Sequence, residues 1–505
     1  MLRHLLSDIL SEVNILESDG PPEIEVTGLS YDSRTTQPGQ VFFAIHGFHV
    51  DGHDYIARAI DKGAVAVVYS DDCPETPGQV RTLRVADSRL ALSMAASAWY
   101  GCPSSRIPCI GITGTDGKST TVHFLWQILR KAGFRTGCVS TVYVSTGNDT
   151  EKNPFRQSTP EAPEIHAILS RMVENGCAFA VVEATSHGLS TKTHRLSGVR
   201  WLGAVFTNLG HEHLEFHGSF EQYREDKCRL FGGLTANDDQ KAFGIVNADD
   251  ENSVFFESAT SHQVIGISLT GNDADVRITG IDETPTETSF TLTYRGASLR
   301  TSIRIPGRYN VFNTAAALMA AHFASGMSLP ELARLTPELR APQGRMDEIV
   351  AGQPFRVIVD FAHTPGSFDT VLPILKSSTE GRLILVFGSA GERDTGKRAL
   401  QGRSASRYAD IIYLADEDPR GEDPDAILRE IAEGCEAHTE GANLYLFSDR
   451  RHAFRQAMKQ ARKGDTVALL GKGHESSIIY ATGPVPWDEG AVARSILAEM
   501  GYRNE

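Results

Sequence analysis

The chain has 505 residues, 41% hydrophobic and 22% charged, the balance of an ordinary globular protein with room for about three domains. Its formal net charge of −15 argues against a general nucleic-acid or anionic-membrane surface, since both need basic patches that replace counterions. Seven cysteines, an odd number without framework spacing or a CxxC pair, point to a reducing compartment and give no support to a structural zinc site.

The opening MLRHLLSDILSEV has apolar residues at helical spacing with acids interleaved, so it reads as an amphipathic helix and lacks the apolar run of a secretory leader. No stretch approaches the apolar length of a membrane span, which makes the cytoplasm the expected location. Short strands are expected at Ile24–Val26, Val41–Ile45 and Ala64–Val68, with a helix over Asp54–Lys62 stopped by Gly63. Residues 1–100 therefore read as a small α/β domain, and Gly101–Ser105 as a linker.

Next come a strand at Pro108–Ile112, a Gly-rich turn and a helix from about Ser119 to Ala132. Strand-like runs at Ala178–Glu183, Trp201–Thr207 and Phe243–Val246 alternate with helical segments Ala162–Glu174 and Phe220–Phe231, the pattern of a parallel sheet with helices on its faces. Val276–Arg304 is Thr-rich and alternates in period two, more like antiparallel β. A boundary near Leu339–Gly344 closes a central domain, 101–340. In 341–505, strands at Arg356–Asp360, Leu383–Gly388, Ile411–Ala415 and Thr466–Leu470 alternate with helices and predict a doubly wound, Rossmann-like sheet.

The strongest motif is Gly111-Ile-Thr-Gly-Thr-Asp-Gly-Lys-Ser-Thr-Thr121. A strand runs into a Gly-rich turn and Lys118-Ser119 opens a helix, so backbone N–H groups can cradle phosphates at its positive end. Lys118 would reach the terminal phosphates and the Ser119 hydroxyl would ligate Mg²⁺. Gly114, Thr115, Asp116, Gly117 and Thr120 complete the loop. It is shorter than the common eight-residue phosphate loop, because Ile112 stands where that pattern needs its first Gly. The alternative, an ordinary tight turn, leaves the Lys–Ser pair and long helix without a purpose.

Other candidates are weaker alone. Glu183, at the end of a buried strand, suits a hard oxygen ligand for Mg²⁺, though taken alone with His187 it reads better as part of a solvated loop. The segment Thr207–Gly218, with His211, His213 and His217 among acids, fits metal or phosphate contacts and fits a polar loop as well. Lys227, on a helix, reads as a surface lysine, and Asn310 as an N-cap. Loops after three strands carry Arg393; Asp418 and Arg420; and Gly471 and Glu475. There the arginines can grip carboxylates and Glu475 an ammonium.

GTDGKST is similar to the GTNGKT loop of the Mur ligases, which add amino acids stepwise to UDP-N-acetylmuramic acid. The resemblance covers nearly the whole chain and is nearest to the branch adding the third residue, usually a diamino acid, to UDP-MurNAc-L-Ala-D-Glu. It implies three α/β domains: a UDP-sugar-binding domain, a central phosphate-loop ATPase and a Rossmann-like amino-acid domain. It also implies a ligase that forms an acyl phosphate from ATP, a monomer with no nucleic-acid partner and no membrane insertion.

Residue by residue, the resemblance makes Glu183 and His213 magnesium ligands, the latter at a second ion. Lys227 becomes a carbamylated lysine binding that same second Mg²⁺. Asn310 would meet adenine, Arg345 phosphate and Asp360 the ribose, with His363 near the nucleotide. Ser33 with the loop Phe48, His49 and Val50 would lie along the uridine diphosphate; Ser158, Thr159, Thr185 and Arg195 would also touch the UDP-sugar. Arg393, Asp418, Arg420, Gly471 and Glu475 would hold the incoming amino acid. The chain departs from the family at Asp116 and Gln157, where Asn is usual, at Glu212 and Phe361, and at Glu417-Asp418, where Asp-Asn marks the diaminopimelate-adding enzymes. Arg420 favours diaminopimelate; the extra acid suits lysine or ornithine. A folylpolyglutamate synthase-like ligase shares the ATP motifs, but YDSR at 31–34 and HVDGHD at 49–54 argue against it. A phosphate-loop NTPase of another class would turn over ATP without any amino acid.

Overall fold

A computed structural model describes all residues except 1–2, 48–49, 74–77, 156, 211–213, 238–239, 272, 285–286 and 504–505. The chain divides into two compact units, one of residues 1–279, 291–301 and 312–336, the other of residues 280–290, 302–311 and 337–505.

In the first unit the apolar runs CIGIT, FAVVE, GAVF and FGIVN are buried along most or all of their length, as strands covered on both faces must be. They form consecutive parallel neighbours, with Cys109–Thr113 between Phe179–Glu183 and Gly203–Phe206, then Phe243–Asn247 and Gln263–Ser268. Thr136–Val139, a strand the sequence reading did not pick out, lies on the far side of Phe179–Glu183. The chain therefore leaves Cys109–Thr113, skips one place to Thr136–Val139, returns to Phe179–Glu183 and crosses to Gly203–Phe206. Such a reversal of strand order opens a crevice at the strands' carboxyl ends. The register fixes what meets there: Glu183 pairs with Ile112 and Phe206 with Thr113.

Residues 1–100 carry a separate five-stranded sheet in the order Ile15–Ser18, Arg81–Val85, Ala66–Tyr69, Val41–Phe43, Leu29–Ser30. Its core joins Leu6, Ile9, Phe43, Val68 and Leu83 to Ala95 and Trp99 of the helix Ser88–Trp99. Asp87 caps that helix through Arg89 and Leu90 N–H and also meets His194 at 3.2 Å. The expected opening helix shrinks to Leu6–Ile9. Ile24 and Pro22 carbonyls accept the Leu6 and Ser7 N–H, and His4–Leu5 pairs with Glu25–Val26 as strand, so the helix has no upstream continuation. The Thr-rich region forms the strands Val276–Glu283, Thr288–Tyr294 and Ala297–Ile303, and strict alternation of burial holds over Thr288–Tyr294. All seven cysteines are free thiols. Among the described residues no helix is long and apolar enough to cross a membrane.

The second unit holds a six-stranded sheet in the order Asp347–Glu348, Arg356–Asp360, Thr466–Leu470, Leu383–Phe387, Ile411–Ala415, Leu444–Phe447, parallel except for the first. Thr466–Leu470, last in sequence, inserts between the first two parallel strands, so three of the candidate loops open at one edge of the sheet. Just before it, Asp465 accepts from Arg382 N–H and guanidinium and from Arg462 N–H, at 2.6–3.1 Å. Burial opposes the charge, but these donors outweigh it and hold the carboxyl below its usual range. A carboxyl depressed by folding contributes stability above its unfolded pKa of about 3.9 and loses it as pH falls through the folded value. Asp465→Asn should therefore cost on the order of 2 kcal/mol at pH 7. The calorimetric midpoints of the two proteins should converge as pH drops towards about 3. A separation that stayed constant with pH would show that the charge is not what is used.

Candidate active site

The turn after Cys109–Thr113 is held rigid by the neighbouring strand end. Asn208 accepts from Thr115 N–H through its carbonyl at 2.8 Å and from Asp116 N–H through its side chain at 2.9 Å, while the Thr207 hydroxyl donates to the Asp116 carbonyl at 2.6 Å. Gly114 (φ 144°) and Gly117 (φ 82°) are where no side chain fits. A Cβ would stand 1.9 Å from Thr207 Oγ1 at the first and 2.6 Å from Asn313 Oδ1 at the second. Gly117 is the N-cap of the helix Lys118–Lys131, which starts one residue earlier than expected. Lys118 Nζ reaches back over the loop to the Thr115 carbonyl at 2.5 Å.

Behind it Ser119, buried, donates to Glu183 Oε2 at 2.9 Å. Thr141 completes that carboxylate's shell with its N–H at 2.8 Å and its hydroxyl at 2.9 Å, and the same hydroxyl oxygen accepts from Ser158 at 2.6 Å. Glu183, 2% exposed, is thus a buried carboxylate held by two hydroxyls and one N–H. A glycine cradle beside Lys118 and a donor set around Glu183 that, among the described residues, is made of hard oxygens fit a nucleotide phosphate with Mg²⁺ and suit softer metals poorly.

Lys227 is not a surface lysine: it is 1% exposed, donates to the Gly114 carbonyl and lies 4.6 Å from the Tyr223 ring centroid. Its helix Phe220–Gly232 buries Tyr223, Asp226, Lys227, Leu230 and Phe231. Tyr223 also meets Thr115 Oγ1 at 3.0 Å. A buried chain anchors this helix to the loop after Glu183: Asp226 to His217 Nδ1 at 2.8 Å, and His217 Nε2 to Ser186 at 3.1 Å. With His217 and Asp226 at 0% and 1% side-chain exposure, this Ser–His–Asp array meets no substrate and acts as a brace.

Among the residues expected to touch the UDP-sugar, Thr159 bonds the Glu183 carbonyl and Thr185, and Thr185 caps the helix Ser186–Leu189. Arg195, buried, grips Glu161 at 2.7 Å and the Thr159 carbonyl at 3.2 Å, which pins the loop carrying Ser158. Tyr31 donates to Glu164 at 2.7 Å, so the turn holding buried Ser33 is tied to the helix beside that loop. Val50 is 55% exposed; Phe48, His49 and His213 lie outside the described residues.

The second unit gathers Arg345, Asp360 and His363. Asp360 accepts from Met346 N–H at 2.7 Å and Ala362 N–H at 2.8 Å, Arg345 stacks 4.5 Å over the Phe361 ring, and His363 Nδ1 meets the Phe361 carbonyl at 2.9 Å. Phe361, where a hydroxyl was forgone, thus serves as a platform for Arg345. Asn310 is not an N-cap: it lies inside the helix Arg308–Ser325 and donates to the Pro306 carbonyl at 2.8 Å.

Around the loops after Ile411–Ala415 and Thr466–Leu470, Asp418 and Glu475 share one cation, Lys472, which reaches Asp418 at 2.7 Å. Burial pushes the Glu417 carboxyl up to about 7, only partly offset by Lys397, Arg450 and Lys472, and raises neighbouring Asp416 to about 6. Gly471 lies directly against Glu417, Arg420 holds a left-handed backbone (φ 55°), and Arg393 is exposed. Thr141, Tyr223, Asn208 and Lys472 were missed by the sequence reading; all but Thr141 lie within segments it had quoted.

A rigid glycine loop at a strand-order reversal, with a lysine and a magnesium-type oxygen shell, defines a phosphate-loop enzyme. Three segments match known domains: 25–100 the Mur ligase family catalytic domain, 112–321 the Mur ligase middle domain, and 344–473 the Mur ligase glutamate ligase domain. A UDP-N-acetylmuramyl-tripeptide synthetase of a Roseiflexus species is 46% identical, over 95% of this chain and 96% of its own. A UDP-N-acetylmuramoyl-L-alanyl-D-glutamate–2,6-diaminopimelate ligase of Geobacillus thermodenitrificans is 37% identical, over 94% and 95%. A solved structure of a ligase of that latter name superposes with a TM-score of 0.70 at 28% identity, covering 99% of this chain and 100% of the other. The chain belongs to the Mur ligase family, with that family's three-domain α/β architecture and ATP-dependent ligase chemistry.

Proposed function

We propose that the chain is a cytoplasmic, monomeric ligase adding the third residue, a diamino acid, to UDP-MurNAc-L-Ala-D-Glu in peptidoglycan precursor synthesis. The observation that carries the reading is the constellation of half-buried Lys118 and Thr141 with buried Ser119 and Glu183 at a glycine cradle. The names of relatives matched end to end supply the substrate class.

The D-Glu γ-carboxylate attacks the γ-phosphorus of ATP; ADP leaves and an acyl phosphate forms. The amino group of the incoming residue then attacks the acyl carbon, the amide bond forms, inorganic phosphate leaves and the ammonium proton is lost. Lys118 sits where charge builds up on the transferred phosphoryl group, and its fixed position means no reorganisation at the moment of transfer. Magnesium would neutralise the phosphate oxygens; Ser119 and Glu183 would hold one ion, and His213 with carbamylated Lys227 a second. Asn310, Arg345, Asp360 and His363 serve the base, phosphate, ribose and remaining edge of the nucleotide. Ser33, Phe48, His49, Val50, Ser158, Thr159, Thr185 and Arg195 serve the UDP-sugar; Arg393, Asp418, Arg420, Gly471 and Glu475 serve the amino acid. The working domains are 1–100, 101–340 and 341–505.

The test is phosphate release from ATP with UDP-MurNAc-L-Ala-D-Glu and, in turn, meso-diaminopimelate, L-lysine and L-ornithine. Release is expected with one of them and almost none without an amino acid. Steady release with ATP alone would instead mark an NTPase, and dependence on a folate substrate would mark the other ligase class.

A further inference from the structure

One guanidinium, wholly out of solvent, ties the roots of two loops together. Arg450 opens the helix Arg450–Gln460, and its side chain and that of Glu489 are each 0% exposed. Its Nη1 donates to the Asp416 carbonyl at 3.0 Å and its Nη2 to the Leu470 carbonyl at 2.7 Å. Nε, at 3.2 Å, and Nη2 also donate to the Glu489 carboxylate, which in turn accepts from Trp487 Nε1. Asp416 immediately precedes Glu417–Arg420, and Leu470 immediately precedes Gly471–Glu475.

A planar fork of five donors serves two carbonyls and a carboxylate at once; an ammonium on a flexible stem does not. A buried ion pair is a poor device for stability, because apolar replacements of similar volume do as well or better. What this pair supplies beyond stability is a fixed distance between two strand ends. Asp418, on one loop, shares Lys472 with Glu475, on the other, so any shift of one root is felt at the tips.

We propose that Arg450, oriented by Glu489, is a positioning residue for the incoming amino acid: it sets the spacing of the 417–420 and 471–475 loops and touches no substrate itself. This rests on the reading of those loops as the amino-acid site.

The test uses the full-length protein and whichever of meso-diaminopimelate, L-lysine and L-ornithine supports phosphate release. Arg450→Lys should raise the KM for that amino acid on the order of tenfold or more, since two carbonyl ties are lost. The KM values for ATP and the UDP-dipeptide should stay within about twofold, as should kcat at saturating amino acid. The double variant Arg450→Met with Glu489→Met removes both charges without stranding either, so it should fold and show the same selective rise. An unmoved amino-acid KM in a double variant of native thermal midpoint overturns the proposal, and so does an equal rise in all three KM values. A wild-type rate that does not saturate with amino acid overturns the reading of the loops, and the proposal with it.

Discussion

Lys118→Met should lower the single-turnover rate of phosphate release by about 10²–10³-fold, with far less change in nucleotide affinity or in the thermal midpoint. The asymmetry follows from how the loop is held. Thr115 and Asp116 N–H are fixed on Asn208, and the Asp116 carbonyl on Thr207, so the cradle keeps its shape whatever stands at 118. Methionine retains the aliphatic stem of a half-buried side chain and removes only the charge. Nucleotide binding draws on backbone N–H groups and the helix end, which survive; stabilisation of charge that grows during transfer draws on the ammonium, which does not. Burst-phase phosphate measurements with all three substrates present separate the two effects. A variant transferring phosphoryl at the wild-type rate would remove Lys118 from the chemistry.

Much of this was legible because strands in a doubly wound sheet are apolar throughout and the loops after them carry function. GITGTDGKS, FAVVEATS and IIYLADEDPR announce both their strands and their loops. What failed was mostly long-range pairing. Arg450 and Glu489 are 39 positions apart and sit in ordinary helix patterns, so nothing local marks their union. Thr141 follows a short strand with no motif around it, yet it supplies two of the donors on Glu183. The N-terminal helix failed because backbone donors were claimed by Ile24 and Pro22, a tertiary effect that overrides periodicity. Lys227 is different, since its burial could have been read. It stands four residues after Tyr223 and three and four before Leu230 and Phe231, on the apolar stripe of its helix.

That placement makes Lys227 the second decisive position. A lysine becomes a nucleophile only as the neutral amine. Such an amine can attack the carbon of CO₂; the N–C bond forms as one C=O π pair moves onto oxygen, one proton is lost from nitrogen, and the neutral amine becomes a carbamate anion with two hard oxygens. The Gly114 carbonyl and Tyr223 ring place the Lys227 amine beside the phosphate loop, and the Asp226–His217–Ser186 chain fixes its helix against the strand end bearing Glu183. Lys227→Met should therefore cost about a hundredfold or more in turnover. Added formate or acetate should restore part of it, because a small carboxylate can enter the space the longer side chain leaves. Lys227→Arg, which keeps a positive charge and forms no carbamate, should be as inactive and resist rescue. Wild-type turnover should fall in CO₂-depleted buffer and return with bicarbonate. If Lys227→Arg worked at the wild-type rate, or if carboxylates rescued both variants alike, the lysine would be a packing residue and the carbamate would be ruled out.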